Sequence, residues 1–209
     1  MKSSDIICVT NRHLCEEEFR EKLVEIAKAH PLAVILREKD MSEEEYRKLA
    51  SWFLPICREE GTKLFLHNFY RVAMELSSDG LHLPLPVLEE VMSELGSDQP
   101  ELLLDKLGVS ELGASCHSVH DARRAKNYGC TYILAGHIFD TDCKKGLPGR
   151  GLEFLRKVTE EVDLPVYAIG GIEPENIDEV ISEGAAGACI MSSAMTVKSV
   201  EDLLTKFVR

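Results

Sequence analysis

Eight short apolar runs recur along this chain, each followed by a stretch with apolar residues at helical spacing. That alternation limits the available folds more than any other feature. The runs lie at 5–10 (DIICVT), 32–36 (LAVIL), 63–66 (KLFL), 80–83 (GLHL), 111–114 (ELGA), 131–135 (TYILA), 165–169 (PVYAI) and 188–191 (ACIM). They are nearly continuous in apolar character, as strands buried on both faces of a parallel sheet must be. Helical spacing predicts helices over 16–30, 42–60, 70–77, 87–95, 101–107, 119–128, 151–162, 174–183 and 199–208. Ser42, with Glu45 three positions on, marks a capped helix start. Eight β/α units of about 26 residues each predict a single (β/α)8 TIM barrel domain spanning 1–209, near the lower size limit of that fold. A doubly wound open sheet competes, but no GxGxxG follows the first run, and the glycines suited to a phosphate follow the seventh.

Composition narrows the partners. A net charge of −12 disfavours nucleic acid and anionic membrane for the surface as a whole, so any bound anion must be held by local devices. No apolar run approaches about 18 residues, the length needed to span a bilayer. The first residues, MKSSDIICVTN, lack the pattern of a secretion signal, so a cytoplasmic protein is expected. Seven cysteines, odd in number and without a CxxC pair, read as reduced packing residues.

In a barrel of this kind the residues just past each strand gather on one face. Here they are Thr10 and Asn11, Arg37 and Lys39, His67 and Asn68, His82, Ser115 with His117 and Ser118, His137 with Lys144, Gly170 and Gly171, and Ser192 and Ser193. One histidine at a strand end is more often a packed residue than a catalyst. A ring of histidines, cations and Gly or Ser turns points instead to an anionic small molecule and proton-transfer chemistry. GGI (170–172) and MSS (191–193) follow the seventh and eighth runs, the two loops that commonly build a barrel's phosphate site. His137, Asp140, Asp142 and Cys143 resemble metal ligands on paper, but their spacing matches no zinc pattern, so no metal and no other cofactor is expected.

Taken in order, REK (37–39), HN (67–68), DGLHL (79–83), SCHS (115–118), GHIFDTDCKKGLPGRG (136–151), AIGGI (168–172) and MSS (191–193) resemble the thiamine phosphate synthase/TenI superfamily across nearly the whole chain. In the synthase branch the resemblance implies Asn-Asp after strand three and a second Asp after strand four, which hold Mg²⁺ and a pyrimidine diphosphate. Here Phe69 follows Asn68, and Val87 falls where the second Asp would stand. The synthases also read Gly-Pro at the position of Gly136-His137. The resemblance therefore implies the TenI branch, thiazole tautomerases, and an isomerase that aromatises a carboxythiazole phosphate.

Within that branch His137 is expected to shuttle the proton, first as base and then as acid. Gly170, Gly171, Ser192 and Ser193 would bind the phosphate, Arg37, Lys39 or Lys144 the carboxylate, and Asn68, Ser115 and His117 would complete the substrate site. Two alternatives stand beside it: a thiamine phosphate synthase, and a non-catalytic regulator that binds thiazole or thiamine phosphate. The expected partner is a small thiazole phosphate, with no nucleic acid and no membrane; a homodimer is compatible with all three readings.

Overall fold

The computed structural model describes residues 5–96, 99 and 102–208, with the side chain of Asp142 left out. Eight parallel strands close into a barrel in sequence order. They are β1 (Ile6–Val9), β2 (Ala33–Leu36), β3 (Lys63–His67), β4 (Gly80–Pro84), β5 (Glu111–Cys116), β6 (Tyr132–Gly136), β7 (Val166–Ile169) and β8 (Gly187–Ile190). Closure is made by β1 on β8, with Ile6 opposite Ala188 and Cys8 opposite Ile190. The expected TIM barrel is thus the observed fold.

Strand alternation divides the core in two. Ile7, Val9, Ile35, Phe65, Tyr132, Leu134 and Cys189 fill the barrel interior. Ile6, Cys8, Val34, Leu36, Leu64 and Leu66 face outward onto the helices. The helices are α1 (Phe19–Lys28), α2 (Glu43–Glu59), α3 (Tyr70–Leu76), α4 (Leu85–Glu94), α5 (Leu103–Leu107), α6 (Val119–Asn127), α7 (Gly151–Glu161), α8 (Ile177–Ser182), α9 (Ser192–Thr196) and α10 (Val200–Phe207). None of the described helices is long and apolar enough to cross a membrane. All seven cysteines are free thiols, and five of them are buried as packing residues.

Helix ends follow local chemistry. Ser42 and Glu45 form the expected capping box on α2. Ser118 caps α6 by accepting from the Asp121 N–H at 3.0 Å. Several boundaries differ from expectation, and two of the differences have a clear local cause. α4 starts at Leu85, because Pro86 falls in its first turn, where a missing N–H costs no intrahelical bond. α8 is shorter than 174–183, because the Asn176 side chain accepts from the Glu173 N–H and donates to the Gly171 carbonyl, holding 171–176 as a turn.

Two buried polar contacts fix elements that later carry the site. Tyr46 of α2 donates its hydroxyl to the Leu36 carbonyl at 2.5 Å and accepts from the His67 N–H at 2.9 Å, which ties the ends of β2 and β3 together. Lys22 of α1 donates to the Val197 carbonyl at 2.7 Å, and Glu25 accepts from the Val200 N–H at 2.8 Å. These two bonds join the first helix to the connection between α9 and α10.

Candidate active site

At the C-terminal ends of the strands lies a cavity of about 480 Å³. Of the residues expected there, Arg37, Lys39, Ser115, His117, His137, Lys144, Gly170, Gly171, Ser192 and Ser193 line it. Asn68 does not. The chain turns left-handed at that residue (φ 70°), and its side chain is exposed outside the cavity. His67 and His82, side by side at the ends of β3 and β4, line the wall instead, with ring centroids 6.1 Å apart. Sequence patterning gives a strand's alternation but not the face of its last residue, so it could not choose between His67 and Asn68.

Arg37 and Lys39 owe their placement to Glu38 between them. Glu38 is buried, accepts from Thr10 Oγ1 at 2.7 Å and from the Arg12 N–H at 3.1 Å, and turns away from the cavity. Thr10 Oγ1 in turn accepts from the Arg37 N–H at 2.9 Å. With the middle residue held outward, its two cationic neighbours both reach the cavity. Burial lowers the Arg37 pKa from its ordinary value, against the pull of Glu38 and Cys143. The Arg37 guanidinium, then burial, then Lys144 lower that of Lys39. None of Arg37, Lys39 and Lys144 forms an ion pair within the described residues, although most other cations do. Three mutually repelling cations in one cavity make a site that an anion would relieve.

The glycine turn after β7 admits no side chain. Gly170 and Gly171 have φ of 99° and 66°, and a Cβ on Gly171 would lie 2.6 Å from the Asp140 carbonyl oxygen and 2.7 Å from Phe139 Cβ. Ser192 and Ser193 open α9, where the first N–H groups have no intrahelical acceptor.

His137 is buried at the cavity wall, and the Gly136–His137 peptide is cis. Its ring does not stand free. Nε2 lies 3.2 Å from the Leu147 carbonyl and 3.0 Å from that of Pro148, so the nitrogen carries the proton and donates to the loop. His117 Nδ1 donates to the Gly136 carbonyl at 2.7 Å, and Arg150 Nε donates to the same oxygen at 3.1 Å. Asp140 caps the loop from within, accepting from the Gly149 N–H at 2.7 Å. Cys143, absent from the expected set, places Sγ 3.3 Å from Ser192 Oγ at the cavity mouth. No residue between 85 and 110 lines the cavity among those described, so α4 and α5 pack on the barrel's flank.

Mg²⁺ does not fit this donor set. Phe69 packs against Tyr46 in a tilted pair with ring centroids 4.4 Å apart, and Val87 packs against the core, so neither side chain offers an oxygen. Glu173 is the one carboxylate among the described lining residues, which hold, with the other described residues, no cluster of three or more His, Cys, Asp or Glu placed for a metal. The side chain of Asp142, considered a ligand from sequence, lies outside the described residues.

Comparison with known proteins gives one consistent result. The family described as thiamine monophosphate synthase (TMP-TENI) matches residues 6–194. The chain is 30% identical to a thiamine-phosphate synthase of Syntrophomonas wolfei, over 96% of this chain and 94% of that one. It is 31% identical to a thiamine-phosphate synthase of Pyrococcus furiosus, over 92% and 87%. A solved thiamine phosphate pyrophosphorylase from Pyrococcus furiosus superposes with a TM-score of 0.79 at 27% identity, covering 99% of this chain and 94% of the other. These names correct the isomerase expected from the resemblance to the TenI branch, since the similar proteins are named for a transferase activity.

Proposed function

The chain belongs to the thiamine monophosphate synthase (TMP-TENI) family of thiamine biosynthesis, and we propose that its barrel holds a thiazole phosphate and serves the group transfer for which its relatives are named. In that reaction the lone pair of the thiazole nitrogen forms a C–N bond to the methylene carbon of a pyrimidine diphosphate. The C–O bond to the diphosphate breaks, and the leaving group takes the electron pair. No proton has to move, so a His137 whose Nε2–H is engaged by loop carbonyls is compatible with the chemistry.

One observation carries the reading: Arg37, Lys39 and Lys144 converge, without an ion-pair partner among the described residues, on the cavity that also holds the Gly170-Gly171 and Ser192-Ser193 turns. The turns suit a phosphate monoester, and the cations suit the charge gathering on a departing diphosphate. Metal-bound oxygen is assigned no part, because positions 69 and 87 cannot hold the ion. The test is to supply pyrimidine diphosphate and thiazole phosphate with Mg²⁺ and, separately, with a chelator. Thiamine phosphate formed in the chelator arm supports cation-only neutralisation. No product in either arm ends the transferase reading.

The same missing carboxylates favour a second reading, a barrel that binds thiazole or thiamine phosphate without turnover. Calorimetric binding of thiazole phosphate in a protein that yields no product would select it.

A further inference from the structure

Three polar side chains stand in a row from the barrel interior to the cavity. The Tyr132 hydroxyl lies 3.1 Å from His82 Nδ1, and His82 Nε2 lies 2.9 Å from Ser115 Oγ. Tyr132 has room because β5 carries Gly113 opposite it, where a Cβ would sit 2.1 Å from the ring's Cζ. The two ends of the row differ. Tyr132 is buried, and its hydroxyl makes no other hydrogen bond among the described residues. Ser115 lines the cavity, and its Oγ has no other protein partner there.

Counting protons fixes the direction of the row. Burial, then His67 and Arg37, hold His82 far below its ordinary pKa, so its ring is neutral and carries one N–H. Were that hydrogen on Nδ1, it would donate to Tyr132, and the phenolic proton would be left in the core without an acceptor. With the hydrogen on Nε2, Tyr132 donates to Nδ1, Nε2–H donates to Ser115, and Ser115 turns its own proton into the cavity. Leaving a buried hydroxyl proton unpaired is disfavoured by roughly tenfold or more, which selects the second arrangement.

We propose that Tyr132 and His82 are positioning residues that fix Ser115 as a hydrogen-bond donor, so that the cavity selects a heteroaromatic ligand presenting to Ser115 an unprotonated ring nitrogen other than the one that attacks. The choice of ligand rests on the heteroaromatic phosphate reading above; the polarity of the row does not.

The test has two arms. Protein labelled with ¹⁵N-histidine should show His82 with an unprotonated, pyridine-type Nδ1 and a protonated Nε2. Tyr132→Phe, which keeps the ring, should move the His82 signals toward a mixture of tautomers, and Ser115→Ala should leave them as in the wild type. In the second arm the 2-, 3- and 4-pyridylmethyl phosphates are compared with benzyl phosphate. At least one pyridyl isomer should bind about 5–10-fold tighter than benzyl phosphate, with the preference gone in Ser115→Ala and reduced in Tyr132→Phe. A His82 carrying its proton on Nδ1, or on both nitrogens, overturns the proposal. So does benzyl phosphate binding as tightly as all three isomers. If none of the four esters binds, the phosphate reading fails, while the His82 signals still decide the polarity of the row.

Discussion

The guanidinium of Arg37 is the main influence lowering the pKa of Lys39, two residues along the same loop. In the cavity the two repel each other, and an anion between them would be attracted to both. Lys39→Met should therefore weaken binding of inorganic diphosphate by about tenfold or more, the worth of a charge-assisted hydrogen bond. Thermal stability should hold or rise, because a repulsion is removed. Diphosphate titration alongside a melting curve checks both, and a destabilised variant with unchanged affinity would contradict the anion trap.

His137 holds its loop through the Leu147 and Pro148 carbonyls. His137→Ala removes the donor to both and should cost about 1–2 kcal/mol of stability. Its sharper sign would be local: the exposed Lys144 and Lys145 should be cut by trypsin faster than in the wild type, at a substrate-independent rate. Equal cleavage of the two proteins would mean that the loop is held by other contacts, such as Asp140 on Gly149.

Gly171→Val puts a branched side chain where Asp140 O and Phe139 Cβ already crowd a Cβ, at a φ of 66°. The turn and the start of the loop after β6 cannot both keep their places. Affinity for a phosphate monoester should fall by about 2 kcal/mol or more, read by calorimetry. Unchanged affinity would place the phosphate elsewhere in the cavity.

Burial, with Arg37 and then Lys39, lowers His67 to about 3, and His82 is lowered by burial first. An unfolded histidine titrates near 6.5, so between about pH 6.5 and 3 the unfolded chain binds protons that the folded one refuses. Stability attributable to these groups is complete above about pH 6.5 and is lost as pH falls toward 3, with a limiting slope of about 1.4 kcal/mol per pH unit for each histidine. Urea unfolding at stepped pH should show that decline, and His67→Gln should flatten it.

The barrel was legible because its strands face packing on both sides, so each one stands out as an unbroken apolar run such as AVIL in β2. The cavity's membership was largely legible for the same reason: strand ends have fixed places once the fold is known. What was missing depended on a half-turn of backbone. Asn68 was rotated out by its left-handed φ, while His67 and His82, placed at the strand ends but given no role, form the wall. The loop after β6 held the further difficulty. His137 sits where expected, but the carbonyls that occupy its Nε2 come from residues ten and eleven positions along, a contact no local pattern announces.

Lys22 and Glu25 reach from the first helix to the carbonyl of Val197 and the N–H of Val200, just beyond the Ser192-Ser193 turn. The last turn lining the cavity is therefore anchored by the opening quarter of the chain. A ribosome making this protein releases the anchor early and the turn it secures almost at the end. Until the two meet, that turn lacks two of the bonds that hold it in the finished barrel. The cavity would then be completed abruptly, at ring closure, rather than growing as strands are added.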